Sequence, residues 1–274
     1  MAIFRLLILL TVAFSQSIIQ ISTEKLTLLA SDRITGHRKI LKDLYCESWR
    51  FTVETNDAGI WDRVPARCEG FVKDYMTGDK YLSDLAAVAD NSLAYAKTVK
   101  LSGDGKHAWI FDVDETLLSN IPFYASHGFG SEIFDEASFN KWVDMAEAPS
   151  VPASLRLYKD LEELGFTIIL LTGRTELQRN ATECNLQFAG YSNWERLILR
   201  KRSDHGKPAT IYKSERRKHL EDEGYIIHGN SGDQWSDLLG FAVAKRSFKL
   251  PNLIQFLKGV RSFRLRKFEA MMGL

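Results

Sequence analysis

The chain has 274 residues, 45% of them hydrophobic and 26% charged, with 36 Lys and Arg against 35 Asp and Glu. These are ordinary values for a soluble globular protein of one or two domains, and they exclude a collagen-like, coiled-coil or largely disordered chain. A formal net charge of +1 carries no footprint for nucleic acid, and three cysteines are too few for a disulfide scaffold.

At the start, Arg5 precedes an apolar run from Leu6 to Phe14, followed by Ser15-Gln16-Ser17. A charged start, a short apolar core and a small polar zone have the form of a secretory signal over residues 1–15. Ala13 and Ser15 fit the small positions before a cut at Gln16, with Ser15 and Ser17 as an alternative frame. A membrane span needs roughly 20 apolar residues, about twice this run, and no later segment is long and apolar enough. The expected place is the secretory pathway, vacuolar or extracellular, where disulfides form.

Residues 16–106 are predicted to be mostly helical, a helical extension ahead of the main fold. Leu82, Leu85, Ala86, Ala89, Leu93 and Ala96 recur at helical spacing, and the chain turns around Asn56-Asp57-Ala58-Gly59. Cys46 and Cys68 flank that turn and are the natural disulfide pair in an oxidising compartment. Cys184 is left over and is expected to be a small buried residue on a helix.

From His107 onward short apolar runs alternate with helical periods. The runs are Trp109-Ile110-Phe111, Phe166 to Leu171, Leu197-Ile198-Leu199, Tyr225 to His228 and Ser247 to Leu250. The helical stretches carry Leu155, Tyr158, Leu161 and Leu164 before Gly165; Leu177, Ala181, Cys184 and Phe188 before Gly190; and Ser214 to Glu223 before Gly224. Continuous apolar strands between helices predict a parallel sheet covered on both faces. Chemistry in such sheets sits beyond the carboxyl ends of the strands. The residues found there are Asp112-Val113-Asp114-Glu115-Thr116, Thr172-Gly173-Arg174, Lys213 just before a helix, and Gly232-Asp233-Gln234-Trp235-Ser236-Asp237.

This set suits phosphoryl transfer. A carboxylate attacks phosphorus to form an acyl-phosphate. Asp112, Asp114, Asp233 and Asp237 crowded together repel one another, and a divalent cation relieves that repulsion; hard oxygen ligands beside phosphate suit Mg²⁺. Lys213 and Thr172 hold phosphate oxygens, and Asp114 shuttles a proton. Taken singly, each of these motifs is an ordinary turn, cap or solvated lysine; four in this order behind apolar runs are not.

The same motifs, with Tyr45-Cys46-Glu47-Ser48-Trp49-Arg50, Tyr81 to Leu85 and Tyr225 to Asn230, resemble the haloacid dehalogenase superfamily, and within it the plant acid phosphatase and vegetative storage protein family, a class B-like branch. The resemblance runs from about Cys46 to Pro251. It implies an α/β, Rossmann-like parallel sheet over residues 107–252, with a small helical cap inserted at about 120–152. It implies Asp112 as nucleophile and Mg²⁺ ligand, and Asp114 as general acid/base with its carbonyl also facing the metal. Thr172 and Lys213 become phosphate ligands, Asp233 completes the metal shell, and Asp237 stands behind it or serves as an alternative ligand. The implied substrate is a small phosphomonoester, and relatives imply a homodimer. Phe123, Tyr124, Phe129, Phe134, Phe139 and Trp142 either wall a pocket or pack the cap's own core.

Two features depart from the family pattern. Cys184 has no expected role, and the chain continues beyond the usual end as a tail, residues 253–274. There Lys258, Arg261, Arg264, Arg266 and Lys267 face only Glu269, and Leu253, Phe256, Leu257 and Val260 sit at helical spacing. The competing function is a storage protein with the phosphatase fold and little activity; branch members can lose the nucleophile, but Asp112 is present. Dehalogenase chemistry does not need an acid at Asp114. Asn180-Ala181-Thr182 is the single N-glycosylation sequon.

Overall fold

The five apolar runs form five parallel strands, β1 (His107–Phe111), β2 (Thr167–Thr175), β3 (Arg196–Arg200), β4 (Ile226–Gly232) and β5 (Arg246–Lys249), in the order β3-β2-β1-β4-β5. β1 is central, with Ile110 opposite Ile169 on one side and Asn230 on the other. Its side chains from Ala108 to Phe111 are all buried, because the sheet has a core on each face. Trp109, Phe111, Ile168 and Leu170 point into one, and Ala108, Ile110, Ile169 and Leu171 into the other.

The structure, a computed structural model, describes residues 35–56 and 63–254, with side chains from residue 44. The expected signal segment, most of the turn after Asn56 and the basic tail beyond Ile254 lie outside those residues. The chain divides into two units, Met1–Ser48 and Trp49–Leu274. In the first, the described residues belong to helix α1 (Thr35–Glu54), which continues into the second. The second contains α2 (Glu69–Met76), α3 (Asp79–Ala96), α4 (Ile121–Ala125), α5 (Glu136–Met145), α6 (Pro152–Glu163), α7 (Arg179–Phe188), α8 (Ala209–Asp222) and α9 (Trp235–Leu238). Cys46 and Cys68 are disulfide-bonded. Among the described residues no helix is long and apolar enough to cross a membrane.

Between β1 and α6 the chain leaves the sheet for an insertion carrying α4 and α5. Its two stems are laced together, Ser119 N–H donating to Pro149 O at 2.8 Å and Val151 N–H to Leu117 O at 2.8 Å. Phe139 packs against Phe123 and Phe134 with ring centroids 5.2 and 5.4 Å apart, so these aromatics fill the insertion's own core.

Four local expectations are corrected. β2 does not stop at Leu171 but runs through Thr175, which pairs with Arg200. Lys213, expected just before a helix, is itself helical, because α8 begins at Ala209 and takes Thr210-Ile211-Tyr212 into its first turn. Leu82 and Leu164 of the expected helical stripes are exposed. Finally, the apolar stripe on α7 faces outward: Leu177 and Phe188 are 95% and 83% exposed, and Cys184 is free and exposed. The inward face carries Thr182 and Asn185 beside a single fully buried apolar residue of the helix, Leu186. Asn185 exchanges hydrogen bonds with both backbone groups of Ala148, and Thr182 accepts one from Arg174. Buried polar groups need partners more than a surface helix needs its apolar side covered.

The pairing of β1 with β4 brings Gly229 directly against the Trp109 ring, which itself stacks on Phe248 at 5.3 Å. A Cβ at position 229 would overlap that ring. Gly229→Ala is expected to destabilise the fold by about 1–3 kcal/mol through overpacking, read from the urea midpoint at unchanged slope; an unshifted midpoint would show that the ring has room to move.

Candidate active site

Of the expected residues, Asp112, Asp114 and Asp233 stand just beyond the carboxyl end of a strand, Thr172 lies within β2, and Asp237 and Lys213 are on helices. Asp112 follows β1 directly, and its N–H donates to Ser231 O of β4 at 3.0 Å. Asp233 follows β4, and Asp237 is held in the single turn of α9. Lys213 arrives from the second turn of α8. The carboxylate oxygens of Asp112, Asp233 and Asp237 come within 4.8 Å of one another, and all three residues are buried. The Lys213 ammonium donates to Asp112 Oδ1, and to Asp237 Oδ1 at 2.7 Å.

The electrostatics follow from this crowding. Burial pushes the Asp112 carboxyl well above its ordinary range; Lys213 opposes this, while Asp237 and Asp233 add to it. Burial and then Asp237 push Asp233 up to about 6, against hydrogen bonding from Asn252. Burial works against the Lys213 ammonium, but Asp112 and Asp237 outweigh it and keep it charged. One ammonium cannot neutralise three carboxylates, and buried like charges are costly. Three hard oxygen donors this close suit a divalent cation of the Mg²⁺ kind, so the residues present fit the expected metal.

The carboxylate of Asp114 does not join this cluster. Arg174, at the end of β2, grips it with Nε and with Nη2, the latter at 2.7 Å from Oδ1, and Asn120 Nδ2 donates to the same oxygen at 2.9 Å. Burial pushes the Asp114 carboxyl up, but Arg174 and Asn120 outweigh it and hold it below the ordinary carboxylate range. Thr172 is fully buried, and its Oγ1 accepts from Arg174 N–H at 3.1 Å.

Several supporting residues carried no signal of their own in the sequence. Glu115 sits in the left-handed region, at φ 55°, and accepts from Asn120 N–H at 2.6 Å; burial, Asp114 and Asp233 push its carboxyl well up. Trp142 of α5 donates to Asn120 Oδ1 at 2.8 Å, which ties the insertion to the loop carrying Asp114. Asn252 Nδ2 donates to Asp233 Oδ2 at 2.7 Å, while the Asn252 N–H and Lys249 Nζ both donate to the Glu54 carboxylate. Arg174 lay inside a quoted motif, and only its position behind a strand marked it.

Known proteins share this arrangement of sequence. The model of the HAD superfamily, subfamily IIIB (acid phosphatase), matches residues 31–255. Acid phosphatase 1 of Solanum lycopersicum is 49% identical over 94% of this chain and 100% of its own length. Vegetative storage protein 2 of Arabidopsis thaliana is 41% identical over 77% of this chain and 80% of its own, and the stem 28 kDa glycoprotein of Glycine max is 39% identical over 82% and 88%. A class C acid phosphatase from Bacillus anthracis shares the fold, with a TM-score of 0.57 at 22% identity over 68% of this chain and 84% of its own. The chain belongs to the subfamily IIIB acid phosphatase family.

The Arg174–Asp114 pair has a pH signature. With its folded pKa below the ordinary 3.8, Asp114 contributes stability that is complete above the unfolded value and lost as pH falls through the folded one. Arg174→Met removes the bidentate partner, so the Asp114 carboxyl midpoint is expected to rise in a ¹³C NMR titration of metal-free protein. A midpoint that stays put would show that Asn120 alone holds the charge.

Proposed function

We propose that this member of the acid phosphatase family hydrolyses small phosphate monoesters with Asp112 as nucleophile. The observation that carries the reading is the buried cluster of Asp112, Asp233 and Asp237 around the Lys213 ammonium at the carboxyl edge of the sheet. A phosphate dianion entering there finds Lys213 and, within β2, Thr172, and its phosphorus faces the Asp112 carboxylate. An Asp112 oxygen forms the P–O bond as the ester P–O bond breaks, and the departing oxygen takes a proton from Asp114. Water then attacks phosphorus, gives its proton to Asp114, and releases phosphate and free Asp112.

Asp112, Asp233 and the Asp114 carbonyl are the proposed Mg²⁺ ligands, with Asp237 beside them. The bound ion supplies positive charge against the dianionic substrate and the carboxylates. In the arrangement described, Arg174 holds Asp114 as a carboxylate. Service as an acid needs that pairing to give way and a proton to be taken up, which favours activity at acid pH. Storage is the second reading, and likeness to vegetative storage protein 2 favours it; the complete set of carboxylates favours catalysis.

Secretion to the vacuole or cell exterior fits the disulfide-bonded Cys46 and Cys68 and the likeness to a stem glycoprotein. Asn180, in the first turn of α7, is exposed, as a glycan requires. Plant-expressed protein is expected to lose the mass of one N-glycan on Asn180→Gln; equal masses would show an unused site.

Single-turnover phosphorylation across leaving groups of graded pKa tests the mechanism. Asp112→Asn is expected to form no phosphoenzyme with any substrate. Asp114→Asn is expected to lose about 10²–10⁴-fold for alkyl phosphates, which need the proton, and less for nitrophenyl phosphate, which does not. Exhaustive chelation is expected to abolish turnover. Equal losses for every leaving group would remove Asp114 from the proton transfer, and full activity after chelation would remove the metal.

A further inference from the structure

Arg217 is among the largest fully buried side chains, and among the described residues no carboxylate is hydrogen-bonded to it. Its guanidinium is spent on carbonyls. Nη1 donates to Asp237 O at 2.5 Å, Nη2 to Leu239 O at 2.6 Å and Nε to Ala242 O at 2.7 Å, with Phe241 O at 3.5 Å and Ser214 Oγ at 3.2 Å from Nη2. Burial pushes this guanidinium down to about 10, Asp237 opposing. A buried cation without an ion-pair partner is an expensive way to close a loop, and an apolar residue would fill the space more cheaply.

Four of the five bonds hold the backbone from Asp237 in α9 to Ala242 beyond it, and the fifth goes to Ser214 on α8 itself. Helix α9 has four residues, too few to be stable alone, and its terminal carbonyls have no partners within it. Asp237 O accepts from Arg217 on α8 and also from Asn230 Nδ2 of β4 at 2.9 Å. The Asp237 carboxylate is fixed at both oxygens, by Lys213 at 2.7 Å and by Gln234 N–H at 2.9 Å. Lys213 and Arg217 lie one turn apart on α8, so one helix sets both the ammonium and the main chain of the carboxylate it faces.

We propose that Arg217 is a positioning residue that sets the divalent-cation affinity of the site by fixing the 237–242 backbone, and with it the Asp237 carboxylate beside Asp112 and Asp233. The inference rests on the metal reading above. Supports of this kind around metal ligands carry about 10–100-fold in affinity. Loss of Arg217 frees the main chain at 237, 239 and 242 without touching any carboxylate, so cation binding weakens while the chemistry at saturating cation persists.

The test is calorimetric titration of the metal-free, full-length protein with Mg²⁺, for wild type, Arg217→Met, Arg217→Lys and Leu220→Ala. Leu220 is a buried apolar residue on the same helix and makes none of these hydrogen bonds, so its variant controls for lost stability. Arg217→Met is expected to weaken Mg²⁺ binding about 10-fold or more, Arg217→Lys by less, and Leu220→Ala by under about twofold. In turnover assays the Mg²⁺ concentration giving half-maximal rate is expected to rise in step, with kcat at saturating Mg²⁺ nearly unchanged. If Arg217→Met does not fold, Arg217→Lys carries the comparison. Wild-type affinity in both Arg217 variants, or an equal loss in Leu220→Ala, overturns the positioning role while leaving the metal reading intact. No Mg²⁺ binding by wild type overturns the metal reading itself.

Discussion

The ammonium of Lys213 is shared by Asp112 and Asp237, with Asp233 close by, in a place from which water is largely excluded. Three carboxylates cannot be buried together without positive charge, and much of the surrounding architecture serves to bring that charge to them. β1 and β4 pair so that Asp112 and Asp233 leave adjacent strand ends. α8 approaches the same edge and delivers Lys213 from its second turn. Continuous apolar strands alone would give a sheet; charge compensation at its carboxyl edge makes that sheet a site.

A second layer holds these groups in place with neutral or singly charged donors. Thr116 accepts from Asp233 N–H at 3.1 Å, Asn252 donates to the Asp233 carboxylate, and Glu54 at the end of α1 gathers Asn252, Lys249 and the Trp235 indole N–H. Arg217 does the same for the turn bearing Asp237. Asp114 is handled differently: a full bidentate guanidinium holds its carboxylate apart from the other three. The two aspartates of the first motif, two residues apart, thereby occupy opposite electrostatic settings. Burial among like charges raises Asp112, and Arg174 lowers Asp114. The proposed roles need the reverse, a charged nucleophile and a protonated acid, so they require charge compensation at Asp112 and release of Asp114 from Arg174.

The insertion between β1 and α6 is joined to this chemistry through few contacts. Trp142 reaches Asn120, and Asn120 reaches both Asp114 and Glu115. Phe123 and Phe134 both contact Phe139, so the insertion carries its own small core, while Trp142 of α5 packs against the main core and touches the site through Asn120.

The sequence by itself determined the parallel sheet, because apolar runs such as Trp109-Ile110-Phe111 and Phe166 to Leu171 lack the alternation of a half-exposed strand. It also marked Asp112, Asp114 and Asp233, since residues directly behind strands must reach the carboxyl edge, and Thr172 and Asp237 through the motifs that contain them. Lys213 was legible as a motif but misplaced ahead of its helix, because Thr210-Ile211-Tyr212 is as apolar as a strand and only packing makes it a helical turn. The facing of α7 was decided by tertiary structure, which turned an apolar stripe outward so that Thr182 and Asn185 could meet Arg174 and Ala148. Arg217, Asn252 and Glu54 were beyond sequence reasoning for a common physical reason. Each acts through hydrogen bonds to residues distant in the chain, and such bonds leave no periodicity and no spacing to read.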